Sequence, residues 1–203
     1  MSSNNLKALS FLVSALAIVQ ILMAADPDIL VDYVAPDNAE GSFFTFTGFR
    51  TIAQGPPPPA FRVTKASMKE FPALLGQSVS YAALQFPAGS INPPHTHPRS
   101  AELLLVAQGT LQVGFVDTNN KLFTSTLQTG DMFIFPKGLV HFQHNAYDNQ
   151  TALALSVFGS ANAGTVSIPS TLFNSTIDDS VLALAFKTDV ATIQTLKKGF
   201  APQ

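Results

Sequence analysis

The chain has 203 residues, of which 46% are hydrophobic and 12% charged, with a formal net charge of −2. This length predicts a single domain with a sizeable core, and the near-neutral charge excludes a basic surface for nucleic acid or anionic membrane lipids. The absence of cysteine excludes disulfides and thiol chemistry, while 17 Phe, 14 Pro and 12 Gly favour a β-rich domain with many turns.

The N-terminus carries one basic residue, Lys7, followed by the apolar run ALSFLVSALAIVQILMAA, which ends in small residues before Asp26. This order is typical of a cleaved secretory signal peptide, predicted over residues 1–25. A membrane anchor is the alternative, but the run is barely long enough to span a bilayer. Three polar residues also interrupt it, namely Ser10, Ser14 and Gln20. We therefore predict a secreted protein that is not membrane-bound after cleavage.

Residues 26–60 are predicted to form an N-terminal arm that ends in a stiff proline-rich linker, GPPPPA. A ligand for a proline-binding domain is the alternative interpretation of that proline run. Two sequons, at Asn149 and Asn174, are candidate glycosylation sites if the protein is secreted, and chance matches if it is not.

Short apolar runs follow one another over residues 61–172. In chain order they are VSYAALQF, AELLLVAQ, TLQVGFV, KLFTSTL, DMFIFP, VHFQHN and ALALSVF. Turn-forming residues such as Gly109 and Gly130 separate them, so the pattern predicts a β-sandwich or a small barrel. The run Leu103–Val106 is apolar on both faces, which predicts a strand covered inside by the barrel and outside by another sheet or subunit.

Residues 173–203 change from the period of a strand to that of a helix. Asp178 and Asp189 are predicted N-caps of two helices, and Gly199 is predicted to lie just beyond the end of the second. The two helices either clasp a neighbouring subunit or pack on their own barrel, and the pattern alone favours neither arrangement.

Two histidines, His95 and His97, are separated by one residue and therefore project from the same face of a strand. Glu102 begins a later strand, on whose buried side Leu104 and Val106 also lie. A buried carboxylate costs roughly several kcal/mol unless a cation or hydrogen-bond donors compensate it. The pattern therefore indicates a divalent metal, the alternative being an exposed polar turn that happens to contain histidine.

The segment VHFQHN supplies a third imidazole. His141 shares one face of the strand with Gln143 and Asn145, so it can point inward, whereas His144 shares the other face with Phe142 and is interpreted as structural. Three imidazoles and one carboxylate, without a thiolate, favour Mn(II) or Fe(II), with Zn(II) as an alternative. Four protein ligands in an octahedral set leave about two positions for water or a substrate.

These residues resemble the two sequence motifs of the cupins. The first motif is matched by Gly89, His95, His97, Glu102 and Gly109. The second motif is matched by Gly130, Pro136, Gly138, His141 and Asn145. Together with the stretches DPDILVDY, NPPHTHPR and LKKGFAPQ, they make the chain after residue 25 resemble the plant germins and germin-like proteins.

The resemblance implies an all-β cupin barrel of the jelly-roll type over 61–172, followed by an α-helical region at 173–203. It implies manganese as the cofactor and a homo-oligomer that ranges from dimer to hexamer in the cell wall or apoplast. The metal ligands that it implies are His95, His97, Glu102 and His141. Germins usually carry an N-terminal disulfide, but Val34 occupies the expected position of the first cysteine, so the arm must be attached in another way.

The resemblance also offers two chemistries, superoxide dismutation and oxalate oxidation. Dismutation needs a redox-active metal with an open position, a proton source and a small anionic substrate. Oxalate-oxidising germins orient their substrate with two asparagines, of which Asn92 matches one and is a candidate substrate contact, unless it only fixes the turn before the prolines. Ser80 replaces the other, and a serine offers one donor instead of two.

We therefore expect a metalloprotein of the superoxide dismutase type, acting on a small anion or another small molecule. Oxalate oxidase is the less favoured enzymatic alternative because of Ser80. A non-catalytic, metal-stabilised storage or receptor protein is the alternative from a different class, since the same ligands could serve only to secure the barrel.

Overall fold

The computed structural model describes residues 26–200, so the predicted signal peptide at 1–25 lies outside the described residues. A short helix, α1 (Arg50–Gln54), precedes the strands. Across the described part of the chain, no helix combines the length and apolar character needed to cross a membrane.

Ten strands follow α1. They are β1 (Arg62–Ala66), β2 (Ser80–Phe86), β3 (Ile91–Thr96), β4 (Glu102–Gln108), β5 (Thr110–Val116), β6 (Leu122–Gln128), β7 (Met132–Phe135), β8 (Val140–His144), β9 (Ala152–Phe158) and β10 (Val166–Ser167). A 3₁₀ turn at Pro72–Leu74 lies between the first two strands. The seven predicted runs correspond to β2 and to the strands β4 to β9. The strands β1, β3 and β10 are not among these runs, although His95 and His97 are expected to share one face of a strand.

The strands form two five-stranded antiparallel sheets. The first has the order β1-β2-β9-β4-β7 and the second the order β10-β3-β8-β5-β6. A single buried core joins side chains from both sheets, including Leu104 of the first and Leu111 of the second. Two antiparallel sheets around one core confirm the jelly-roll barrel that the resemblance to cupins implies.

Strand alternation separates the core from the outer surface. On β4, Leu104 and Val106 are fully buried. Leu103, which lies between Glu102 and Leu104, points to the other face and is 38% exposed. Burial of such a side chain contributes about 1.5–3 kcal/mol to folding. The core of the barrel therefore covers the inner face of the run Leu103–Val106. That another subunit covers its outer face stays a prediction.

The sequence pattern missed β3 because two consecutive prolines interrupt it. Pro93 and Pro94 have no N–H group to donate to a neighbouring strand. The pairing of β3 with β8 shifts register between Asn92 and His95, so the prolines occupy an irregular stretch of the ladder. The strand then resumes regular pairing at His95, opposite His141.

Three helices complete the described chain: α2 (Ile168–Phe173), α3 (Asp179–Phe186) and α4 (Val190–Phe200). The predicted boundary between barrel and helical region, at residues 172 and 173, lies at the end of α2. Buried Leu182 and Ala183 of α3 pack with Ile193 of α4, and α2 contacts both α4 and β3.

The predicted N-caps form. The carboxylate of Asp178 accepts a hydrogen bond from the Ser180 N–H at 2.8 Å, and that of Asp189 accepts one from the Thr192 N–H at 2.8 Å. The prediction for Gly199 is wrong, because α4 continues through it to Phe200. A glycine inside the last helical turn costs only about 1 kcal/mol relative to alanine, so it need not end the helix.

The N-terminal arm is attached to the barrel by a carboxylate. Asp26 accepts hydrogen bonds from the Ser160 Oγ at 2.7 Å and the Ala161 N–H at 2.6 Å. The Gln77 amide also donates to the carbonyl of Asp32 at 3.3 Å. These contacts hold the arm without the disulfide expected at Val34, whose side chain is 40% exposed.

Candidate metal centre

Three strands and one loop position the four predicted ligands. His95 lies on β3, Glu102 on β4 and His141 on β8, while His97 follows directly after β3. Alternation along β3, β4 and β8 turns His95, Glu102 and His141 inward, and all four side chains are at most 6% exposed. Because Glu102 belongs to the first sheet and His95 and His141 to the second, the cluster joins the two sheets across the core.

The four side chains converge on one point. One nitrogen or oxygen atom from each lies within 4.8 Å of the others. The Glu102 Oε2 atom lies 3.0 Å from the Nε2 atoms of both His97 and His141. The structure thus brings together all four residues that the sequence predicts as ligands.

Backbone carbonyls fix the tautomer of each imidazole. The Nδ1 atoms of His95 and His141 lie 2.8 Å from the carbonyl oxygens of Pro93 and Leu139, respectively. The Nδ1 atom of His97 contacts the carbonyl oxygen of Gly164. A carbonyl can only accept, so Nδ1 must carry the proton, which leaves the Nε2 lone pairs directed at the centre of the cluster.

This donor set fits a divalent cation. Two neutral Nε2 lone pairs and a carboxylate oxygen that meet at 3.0 Å repel one another unless positive charge lies among them. A cation ligated by His95, His97, Glu102 and His141 supplies that charge and uses every inward-facing donor. Nitrogen and oxygen donors without sulfur suit Mn(II), Fe(II) or Zn(II).

Burial keeps one of these imidazoles neutral. Burial and the neighbouring His141 lower the pKa of His95 from 6.5 to about 4. This shift favours the neutral form of His95, whose Nε2 atom can then ligate a metal.

Hydrogen-bond donors occupy the other oxygen of Glu102. Its Oε1 atom accepts from the Ser156 Oγ at 2.6 Å and from the Gln143 Nε2 at 3.3 Å. Gln143 in turn accepts from the Asn92 Nδ2 at 2.7 Å. Sequence reasoning placed Gln143 on the inward face but missed Ser156. The available signal was one polar residue at an inward position of the apolar run ALALSVF.

A cavity of about 310 Å³ connects the cluster with the surface. His95, His97 and Glu102 line its buried end. The exposed residues Lys65, Lys69 and Glu70 line the rest together with apolar and neutral polar side chains. The Lys65 Nζ donates to the Thr165 Oγ1 at 3.3 Å, between the edge strand β1 and the segment before the edge strand β10. The cavity therefore opens where the two sheets expose their edges.

Asn92 and Ser80, the two residues compared with the oxalate-orienting asparagines, both line this cavity. The Asn92 Nδ2 atom lies 3.4 Å from the His95 Nε2, beside the ligand cluster. Ser80 is buried, and its Oγ donates to the Ser160 carbonyl at 2.7 Å. Its only proton is therefore already used within the protein.

The last two polar residues of VHFQHN, His144 and Asn145, lie outside the cluster of predicted ligands. His144 lies outside the four-residue cluster and is only partly buried, which agrees with its structural interpretation. Asn145 is fully buried and donates to the carbonyl oxygens of Pro87 and Gln150 at 3.1 and 2.6 Å. It thus holds two loops together at the end of the barrel.

The barrel and its buried His and Glu cluster define a cupin. The family model for cupins matches residues 54–194. Germin-like protein 9-3 of Oryza sativa subsp. japonica is 61% identical over 194 residues, covering 91% of this chain and 90% of that protein. The chain belongs to the germin-like proteins of the cupin family.

Two further similarities bear on function. The rhicadhesin receptor of Pisum sativum is 44% identical over 144 residues, which cover 70% of this chain and 65% of that protein. A solved structure of oxalate oxidase superposes with a TM-score of 0.79 at 31% identity, covering 87% of this chain and 98% of that one.

Proposed function

We propose that this protein is a secreted, manganese-binding germin-like protein that removes superoxide. The observation that carries the proposal is the convergence of His95, His97, Glu102 and His141 on one point, where the first three also line the buried end of an open cavity. When bound, manganese would supply the one-electron exchange that dismutation requires. Iron is the other redox-active metal that suits these donors, whereas zinc would bind without supplying that exchange.

The chain's own residues hold the donors and admit a small anion. Backbone carbonyls orient the three imidazoles, and the Asn92 amide can donate a hydrogen bond beside them. Lys65 and Lys69 give the exposed part of the cavity a positive charge that Glu70 only partly offsets. Such a charge attracts anions in a chain whose overall charge is negative.

Dismutation does not require the protein to hold its substrate in a particular orientation. Two superoxide anions and two protons give one dioxygen and one hydrogen peroxide, and solvent in the cavity can deliver the protons. Oxalate oxidation requires hydrogen-bond donors that orient a dicarboxylate. The Ser80 hydroxyl is used by the Ser160 carbonyl, so of the two compared positions only Asn92 offers a donor, through the N–H that Gln143 does not use.

The test compares metal-loaded and metal-free protein, with elemental analysis of the protein as isolated. Loaded wild-type protein should remove superoxide, and His95→Ala should lose both the metal and the activity. His144→Ala is the matched control, because His144 lies outside the cluster, and it should retain both. Equal activity of metal-free and loaded protein, or hydrogen peroxide formed rapidly from oxalate, would contradict the proposal.

A non-catalytic role is the second candidate. The similarity to a protein named rhicadhesin receptor favours a binding function in which the metal only stabilises the barrel. In that case the loaded protein would be more heat-stable than the metal-free protein but would not remove superoxide. An exogenous anion such as azide would then leave the spectrum of the bound metal unchanged.

Secretion to the cell wall or apoplast and homo-oligomer formation belong to the same proposal. The signal-like segment 1–25 supports secretion, and both Asn149 and Asn174 are exposed, as glycosylation requires. N-terminal sequencing of the secreted protein should begin near Asp26. Exposed apolar side chains on the first sheet support an assembly of subunits.

A further inference from the structure

The inner face of β9 contains one polar residue, Ser156, among apolar neighbours. The inward positions of this strand are Ala152, Ala154, Ser156 and Phe158. Ser156 is fully buried, opposite Leu104 of β4 and Ala82 of β2. An alanine would be the simpler choice for packing here, because a buried hydroxyl must find a partner.

The partner of Ser156 is the carboxylate of Glu102. The Ser156 Oγ donates to the Glu102 Oε1 at 2.6 Å, the shorter of the two hydrogen bonds to that oxygen. Gln143 donates the other, at 3.3 Å, and is itself fully buried. The opposite oxygen, Oε2, is the one that lies 3.0 Å from His97 and His141. The two oxygens of Glu102 thus have separate roles.

We propose that Ser156 is a positioning residue that makes Glu102 a one-oxygen ligand. This inference rests on the proposed metal function. A carboxylate can ligate a metal with one oxygen or with both, and the second mode occupies one more coordination position. By holding Oε1 within the protein, Ser156 reserves that position for water or an anion entering through the cavity.

The alternative is that Ser156 only compensates a buried carboxylate. Both roles predict some loss of stability in Ser156→Ala, so stability cannot distinguish them. A positioning role predicts in addition that the surroundings of the metal change. With only the longer Gln143 hydrogen bond left, the carboxylate of Glu102 is free to turn and to present both oxygens.

The experiment uses the full secreted protein, freed of metal and reloaded with MnCl₂. Ser156→Ala should weaken Mn(II) binding about 10- to 100-fold, as loss of a hydrogen bond to a metal ligand typically does. The electron paramagnetic resonance spectrum of the bound Mn(II) should change, and azide should bind more weakly. Ser156→Cys retains a weak donor and should give intermediate values.

Ser100→Ala is the matched control. Ser100 is also buried, but its Oγ donates to the Ala101 carbonyl at 2.6 Å and not to a ligand. This variant should lose comparable stability and keep the wild-type Mn(II) affinity and spectrum. A Ser156→Ala protein with unchanged affinity, spectrum and azide binding would overturn the inference, as would equal changes in Ser100→Ala.

These measurements do not depend on catalysis. A loaded wild-type protein that fails to remove superoxide would overturn the proposed activity and leave the role of Ser156 intact. A wild-type protein that takes up no Mn(II) would overturn both.

Discussion

At the scale of single residues, the centre depends on which atoms carry protons. Each histidine of the cluster donates from Nδ1 to a backbone carbonyl, so the backbone selects the tautomer that can ligate a metal. His95 is also nearly inaccessible, which disfavours its cationic form. The fold thus sets the tautomers of the three histidines without a bound metal.

This preparation predicts how the stability of the metal-free protein depends on pH. The pKa of His95 is about 4 in the folded protein and 6.5 in its ordinary state. Between these values the unfolded chain binds more protons, so the free energy of unfolding falls as the pH is lowered from 6.5 towards 4. The contribution of His95 amounts to about 3 kcal/mol over the whole window.

Urea denaturation of metal-free protein between pH 6.5 and 4.5 measures this effect. The measurement stops at pH 4.5 because the carboxyl groups of the chain titrate mainly below that pH. The variant His95→Asn should lose stability less steeply as the pH falls. Equal slopes for the variant and the wild type would contradict the prediction.

At the scale of elements, the turn between β4 and β5 is the shortest connection between strands of the barrel. The single residue Gly109 takes the chain from the first sheet to the second, with a φ of +82°. A Cβ atom at this position would lie 2.5 Å from the carbonyl oxygen of Thr151. Both the backbone conformation and the space therefore require glycine.

The substitution Gly109→Ala should destabilise the protein by about 2–4 kcal/mol, the sum of conformational strain and a clash with backbone. Gly138→Ala is the matched control, since Gly138 has a similar φ of +77° but no atom within 4 Å of an added Cβ. It should cost only about 1–2 kcal/mol. Chemical denaturation of both variants gives the difference, and equal losses would show that the contact with Thr151 is harmless.

Strand periodicity made most of these elements predictable from the sequence. Seven strands are short apolar runs with clear turns between them, whereas β1 and β10 are short edge strands and β3 contains Pro93–Pro94. The histidines and Glu102 could be found because their spacing places them on inward faces. The sequence shows Ser156 only as a polar residue in an apolar run. Its contact with Glu102 could not be predicted, because that contact depends on which strand lies beside β4, and the tertiary fold sets that pairing.

At the scale of the whole molecule, the candidate metal centre and the cavity lie between the two sheets. Glu102 belongs to the first sheet, and His95 and His141 to the second, so a bound metal would link the sheets through protein ligands. The edge strands β1 and β10 leave the opening through which an anion could reach it. Binding and access therefore both follow from the way the jelly roll closes.

The same architecture leaves an apolar surface on the outside of the first sheet. It is formed by Leu103 of β4, Val157 of β9, and Met132 and Ile134 of β7, which are 36–56% exposed. Leu103 pairs directly with both Val157 and Ile134, so the four side chains are contiguous. Contiguous exposed apolar side chains of this kind mark an interface. We predict that a second copy of the chain covers this surface.

The substitution Ile134→Lys tests this assembly. A lysine at the centre of an apolar interface must be buried without a partner charge, so the variant should dissociate while keeping its fold and its metal. Leu122→Lys is the control, because Leu122 is 55% exposed, comparable to the 51% of Ile134, but lies on the second sheet. Light scattering after size-exclusion chromatography should show an oligomer for the wild type and the control and a smaller species for Ile134→Lys. A monomeric wild type, or an Ile134→Lys protein of unchanged mass, would show that this face is not where the subunits meet.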